Sequence, residues 1–143
     1  MRVAAAALIA IALGGCSQPP RSVTVPDLAV QTHALNGKTV RVSGYLGSCS
    51  AYDCALFADK AGYDAARSYV DALKRHEKPG EFPPAIGIGG DPDFDRKAAP
   101  FQNGMVTITG VVTDKCRTPD NKSACTDRSP DLDPTDIVSL KDK

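Results

Sequence analysis

Five cysteines are the residues of this chain best suited to chemistry: Cys16, Cys49, Cys54, Cys116 and Cys125. Cys16 stands apart, just beyond the apolar stretch Val3–Leu13. The other four fall into two close pairs, spaced C-x4-C and C-x8-C. Structural zinc sites favour two to four residues between the ligands of a pair, so zinc fits this spacing poorly. Disulfides fit better. Four cysteines allow three connectivities, and the local one is expected: Cys49 with Cys54, and Cys116 with Cys125. Closing each short loop contributes about 2–3 kcal/mol in the chain-entropy picture.

The remaining side chains offer little further chemistry. There are two histidines, His33 and His76, and neither has an acid or nucleophile beside it in sequence. Asp91-Pro92-Asp93-Phe94-Asp95 begins like a calcium loop, which requires glycine at its sixth position and glutamate at its twelfth. Arg96 and Gln102 stand there instead, so a turn or capping role is expected and no metal site. Ser48 and Ser50 flank Cys49 without an identifiable base. The chain lacks a G-x-S-x-G turn, a glycine-rich phosphate cradle and an H-E-x-x-H pair. No cofactor is implied, and an enzyme is disfavoured. Two alternatives stay open: a small hydrolase using a histidine assembled by the fold, and an inhibitor whose stapled loop plugs an envelope enzyme.

The N-terminus changes what counts as the mature chain. Val3–Leu13 is too short for a membrane span of roughly 20 residues but suits the core of a signal peptide. Leu13-Gly14-Gly15-Cys16 resembles the lipobox of bacterial lipoproteins. The resemblance implies a signal peptide over residues 1–15, a diacylglycerol on the Cys16 thiol and cleavage that leaves Cys16 first. It also implies a lipidated tether over 16–24 and a single domain over 25–143. Ser17 after the cysteine implies the outer membrane, with the domain facing the periplasm. The bilayer is then a partner, held through acyl chains at about 0.8 kcal/mol per buried methylene. Export places the other cysteines in an oxidising space.

Lys plus Arg and Asp plus Glu each number 17, and no long run of one sign occurs. Nucleic-acid binders need a basic stripe to neutralise phosphates, so nucleic acid is not an expected partner. Trp is absent, which removes the strongest base-stacking side chain.

Two similar phrases set the fold: "NGKTVRVSG" at 36–44 and "NGMVTITG" at 103–110. Each is an Asn-Gly turn, an alternating strand and a glycine. Val40, Val42, Gly44 and Leu46 share one face of the first strand; Val106, Ile108, Gly110 and Val112 share one face of the fourth. "CALFA", "PPAIGIGG" and "DIVSL" supply the second, third and fifth strands. Ala66, Tyr69, Val70 and Leu73 recur at helical spacing, with their apolar side expected toward the core. A shorter helix is expected to place Phe94, Ala98 and Phe101 inward. Residues 35–140 resemble small bacterial envelope proteins with OB-like domains, which implies a mainly β fold, a five-stranded OB-like Greek-key barrel with one or two short helices. Another small α+β fold or a β-sandwich is the alternative. Glycines in mid-strand would permit the bends a narrow barrel needs.

On that reading both cysteine-bearing loops line one rim, where such domains commonly hold ligands. Tyr45 and Tyr52 would offer flat faces, and Lys115 and Arg117 positive charge, to an envelope protein or a glycan. The expected function is a binding or scaffolding module of the envelope. Mass spectrometry of the membrane fraction should find an acylated Cys16 peptide, and Cys16→Ser should abolish both the acyl mass and membrane retention.

Overall fold

The computed structural model describes residues 19–50, 53–116 and 131–140. In chain order the elements are β1 (Arg21–Thr24), α1 (Val25–Leu35), β2 (Thr39–Ser50), β3 (Asp53–Phe57) and α2 (Lys60–Lys74). Then follow β4 (Ala85–Gly87), α3 (Pro92–Ala98), β5 (Gly104–Val112) and β6 (Leu132–Ser139). A single 3-10 turn over Ala99–Phe101 joins α3 to β5. The fold is mainly β. No helix among the described residues is long and apolar enough to cross a membrane.

Local chemistry starts each helix. The Thr24 hydroxyl oxygen accepts from the Asp27 amide, with Pro26 in the first turn of α1. Asp59 caps α2 by accepting from the Gly62 amide at 2.8 Å. Asp91 caps α3 by accepting from the Asp93 amide at 2.8 Å, the capping role expected for it. Each such cap satisfies a backbone N–H that the helix leaves unpaired.

The five longer-range strands lie in the order β4-β3-β2-β5-β6 and are antiparallel to their neighbours. A sixth, β1, pairs in parallel with the first half of β2. Expected inward positions are inward: Val40, Val42, Leu46, Val106, Ile108 and Val112 are buried, and they are joined by Leu56, Ile86 and Leu132. Leu28 from α1, with Phe94 and Ala98 from α3, completes this core, and Phe101 packs against it. Fully burying each large side chain contributes about 1.5–3 kcal/mol.

The expected barrel is not closed. Between the outermost strands there is one parallel bridge, Ile88 with Leu132, reinforced where the Gly89 amide donates to the Leu132 carbonyl and the Asp131 amide to the Gly87 carbonyl. Asp131 is buried, and its carboxylate also accepts from the Gly87 amide. A ladder cannot form there because β4 is only three residues long and the chain leaves it through Gly89-Gly90.

The paired glycines answer to crowding. A Cβ on Gly44 would strike the Phe57 carbonyl oxygen and the Leu56 and Val25 side chains; one on Gly110 would strike the Asp133 carbonyl and Leu132. Their backbone φ is not left-handed; that geometry falls in the preceding turns, on Gly37 at +74° and Asn103 at +60°, residue types that tolerate it. Gly44→Ala and Gly110→Ala should each destabilise by about 1–3 kcal/mol or more through overpacking. Gly80→Ala, where the added methyl meets open space, should change the urea midpoint little.

Candidate functional site

A concavity lies on the outer face of β2 and β3, beneath α2. Two residues of β2, Gly47 and Ser48, stand opposite the single Ala55 of β3, since Leu46 pairs with Leu56 and Cys49 with Cys54. This bulge lets both Leu46 and Cys49 face the core although they are three positions apart, and it turns Gly47 and Ser48 outward. Alternation along β3 does the rest: Cys54 and Leu56 go inward, while Asp53, Ala55 and Phe57 form a floor.

Helix α2 supplies the wall. It docks through its first half only. The Tyr63 ring lies directly on Gly47, where any Cβ would collide with it. The same ring packs against Tyr45 (centroids 5.5 Å apart) and edge-on to Phe57 (5.6 Å). Ala66 is the buried residue of this helix. Beyond it, Val70 and Leu73 are 42% and 49% exposed, a correction to the expected core-facing stripe. Phe82, 47% exposed, packs edge-on against Tyr69. The result is an open groove of about 450 Å³, floored by Ala55 and Phe57 and walled by Ala66, Val70 and Phe82. That size lies within the range of ligand sites.

Charges rim the groove. The Arg67 guanidinium stands 5.9 Å over the Tyr63 ring, a cation–π placement. Lys74 and Asp71 are 3.9 Å apart, and the Asp53 carboxylate accepts from the Ser48 hydroxyl. Near the start of α2, the Asp64 carboxylate hydrogen-bonds Lys60 and raises the pKa of its ammonium; Glu77 does the same for Arg75. All of these pairs are exposed.

Of the residues singled out from sequence, Tyr45, Cys49, Cys54, Lys115 and Cys116 lie among the described residues. The Cys49–Cys54 disulfide forms across the β2–β3 hairpin as expected. Cys116 is disulfide-bonded too, but its expected pairing with Cys125 falls outside the described residues. Cys16, Tyr52 and Arg117 also lie outside them. Tyr45 is buried, 7% exposed, under Tyr63, so it presents no open face. Lys115 is exposed, at the other end of β2: the Val112 amide donates to the Lys38 carbonyl, just before β2 begins. Along β2, the Cys49–Cys54 hairpin and the segment leading to Cys116 depart from opposite ends, but the seam sets Cys54, Ile88, Leu132 and Val112 in one row across the sheet. Across the sheet, Cys54 is separated from Val112 by the ends of β4 and β6, about 14 Å at the usual strand spacing.

No catalytic constellation emerges among the described residues. His33 Nδ1 lies 2.8 Å from Asp114 Oδ2, but the histidine side chain is 59% exposed and has no hydrogen bond to a hydroxyl or thiol among the described residues. His76 is exposed at the end of α2, in a left-handed conformation. No three His, Cys, Asp or Glu side chains among the described residues are placed to hold a metal ion. Comparison with family models, curated proteins and solved structures returned no match.

Gly47, Tyr63, Arg67, Val70 and Phe82 were not singled out as a site by sequence. The one signal was the amphipathic period of α2. Gly47→Ala should cost about 1–3 kcal/mol by driving the Tyr63 ring off β2. In a Tyr63→Ala background most of that cost should vanish, a coupling that a double-mutant cycle in urea measures.

Proposed function

We propose that this chain is a lipid-anchored binding module of the bacterial envelope, held through acylated Cys16 and facing the periplasm from the outer membrane. The domain is read as an OB-like, partly open barrel. The strand order, the helix α3 ahead of β5 and the single Ile88–Leu132 bridge at the seam support that reading, since such barrels are commonly incomplete at one junction.

One observation carries the binding role: the groove under α2, where Val70 and Phe82 stay half-exposed although apolar burial would favour collapse onto the sheet. Exposed apolar residues grouped in a concavity, with charges at the rim, mark interaction sites. A protein partner suits this groove better than a glycan. Sugars stack on accessible flat rings, but Arg67 stands over the Tyr63 ring, Tyr45 is buried, and Phe82, the half-exposed ring of the groove, is packed edge-on against Tyr69. Small apolar floor residues and a mixed-charge rim instead suit the side chains of a protein segment.

Site-specific photocrosslinking in intact envelopes tests the reading. A photoreactive residue at Val70 should give a discrete protein adduct, and one at Val138, exposed on β6, should not. Ala55→Trp, which fills the floor, should abolish the Val70 adduct. Equal adducts from both positions, or none from Val70, would remove the groove from consideration.

A further inference from the structure

We infer that the end of the domain bearing Arg21, Lys38 and Lys115 rests on the anionic headgroups of the bilayer. This rests on the anchoring through Cys16 proposed above, and it adds an orientation that the anchor alone does not fix.

Two independent features lead there. The first is reach. From Cys16 to Arg21 there are five residue steps, at most about 18 Å when fully extended. Arg21 opens β1 and pairs with Val40 at the start of β2. The part of the domain that must lie near the headgroups is thus the end where β1 and β2 begin. The second feature is charge. That end gathers three cations from three elements: Arg21 from β1, Lys38 from the turn after α1, and Lys115 from the segment leaving β5. Backbone hydrogen bonds hold them together, with the Gly37 amide donating to the Val112 carbonyl and the Val112 amide to the Lys38 carbonyl. All three side chains are exposed, and none has an ion-pair partner among the described residues.

Three described acids lie at this end and keep their charge, but none of them forms an ion pair with these cations. Asp114 is engaged by His33. Asp131 is buried and accepts from the Gly87 amide. Asp133 is placed across β5, paired in register with Val111. Arg21 and Lys38 also line one shallow groove with Pro19 and Pro20, where the tether enters. Three exposed cations, without an ion-pair partner among the described residues and within reach of a lipid surface, complement phosphates, each adding to attraction for an anionic leaflet. An exposed aliphatic residue on α1, Val30, is 83% exposed, and it is the feature that would act if contact were apolar instead.

The test is lysine footprinting of the acylated, full-length protein purified from membranes and placed in nanodiscs. Labelling by a water-soluble amine-reactive reagent is read by mass spectrometry, in phosphatidylcholine discs and in discs that also contain phosphatidylglycerol. Lys38 and Lys115 should label about fivefold more slowly in the anionic discs, while Lys74 at the end of α2 and Lys78 just beyond it stay unchanged. Raised salt should restore labelling, and Arg21→Glu should do so in part. Equal labelling in both lipids would overturn the inference, and protection in both would transfer the contact to apolar residues. The intact mass of the same sample separates the two claims: an acylated chain with unprotected lysines sinks the orientation alone, and an unacylated one sinks both.

Discussion

Everything in this domain depends on one strand serving three partners. Along one side of β2, β5 pairs from Thr39 to Leu46. On the other side β1 pairs from Val40 to Ser43, and β3 takes over at Tyr45. Gly44 is the residue at the handover. There the Phe57 carbonyl, the Leu56 side chain and Val25 of α1 converge on the space a side chain would occupy. A glycine therefore lets one edge change partners without a gap in the core. Gly110 meets the same demand at the far side of the sheet, where β6 inserts an extra residue opposite the Thr109–Gly110 step.

This explains which parts of the fold could be read from sequence. Alternation in "TVRVSGYL" and "MVTITGVV" is dictated by a sheet with one buried face, so inward residues declare themselves. Phe94 and Ala98 were legible because the small helix α3 has no other apolar residue to bury. Parallel pairing of β1 was not legible, since four residues with one partly buried Val23 carry almost no period. Nor was the open seam: whether β4 and β6 form a ladder depends on a three-residue strand and the glycines after it, not on hydrophobic pattern. The bulge at Gly47–Ser48 was hidden as well, because the local sequence reads as a continuing strand.

The site was less legible than the fold for a related reason. Cys49 and Cys54 could be paired by spacing, as five residues are enough for a hairpin that sets them opposite one another. The groove, by contrast, is built from what α2 fails to do. Its apolar period is that of a core helix, and sequence assigns it to the core. But the Tyr63 ring, resting on a residue without a side chain, anchors only the first half, and Val70 and Leu73 stand clear of the sheet. A helical stripe reports the capacity to be buried, not whether the neighbouring surface reaches it.

The polarity of β2 also bears on which end of the domain lies nearer the proposed anchor. The chain enters at β1, which runs parallel to β2, so the entry point and the start of β2 share one end. Gly47 and Ser48, which open the groove, lie near the other end of the same strand. With the anchor proposed at Cys16, the start of β2 would lie nearer the bilayer than Gly47 and Ser48 do. An antiparallel β1 would have reversed this, bringing the tether in beside β3. A four-residue strand thus contributes little to the core but sets at which end of β2 the chain enters the sheet.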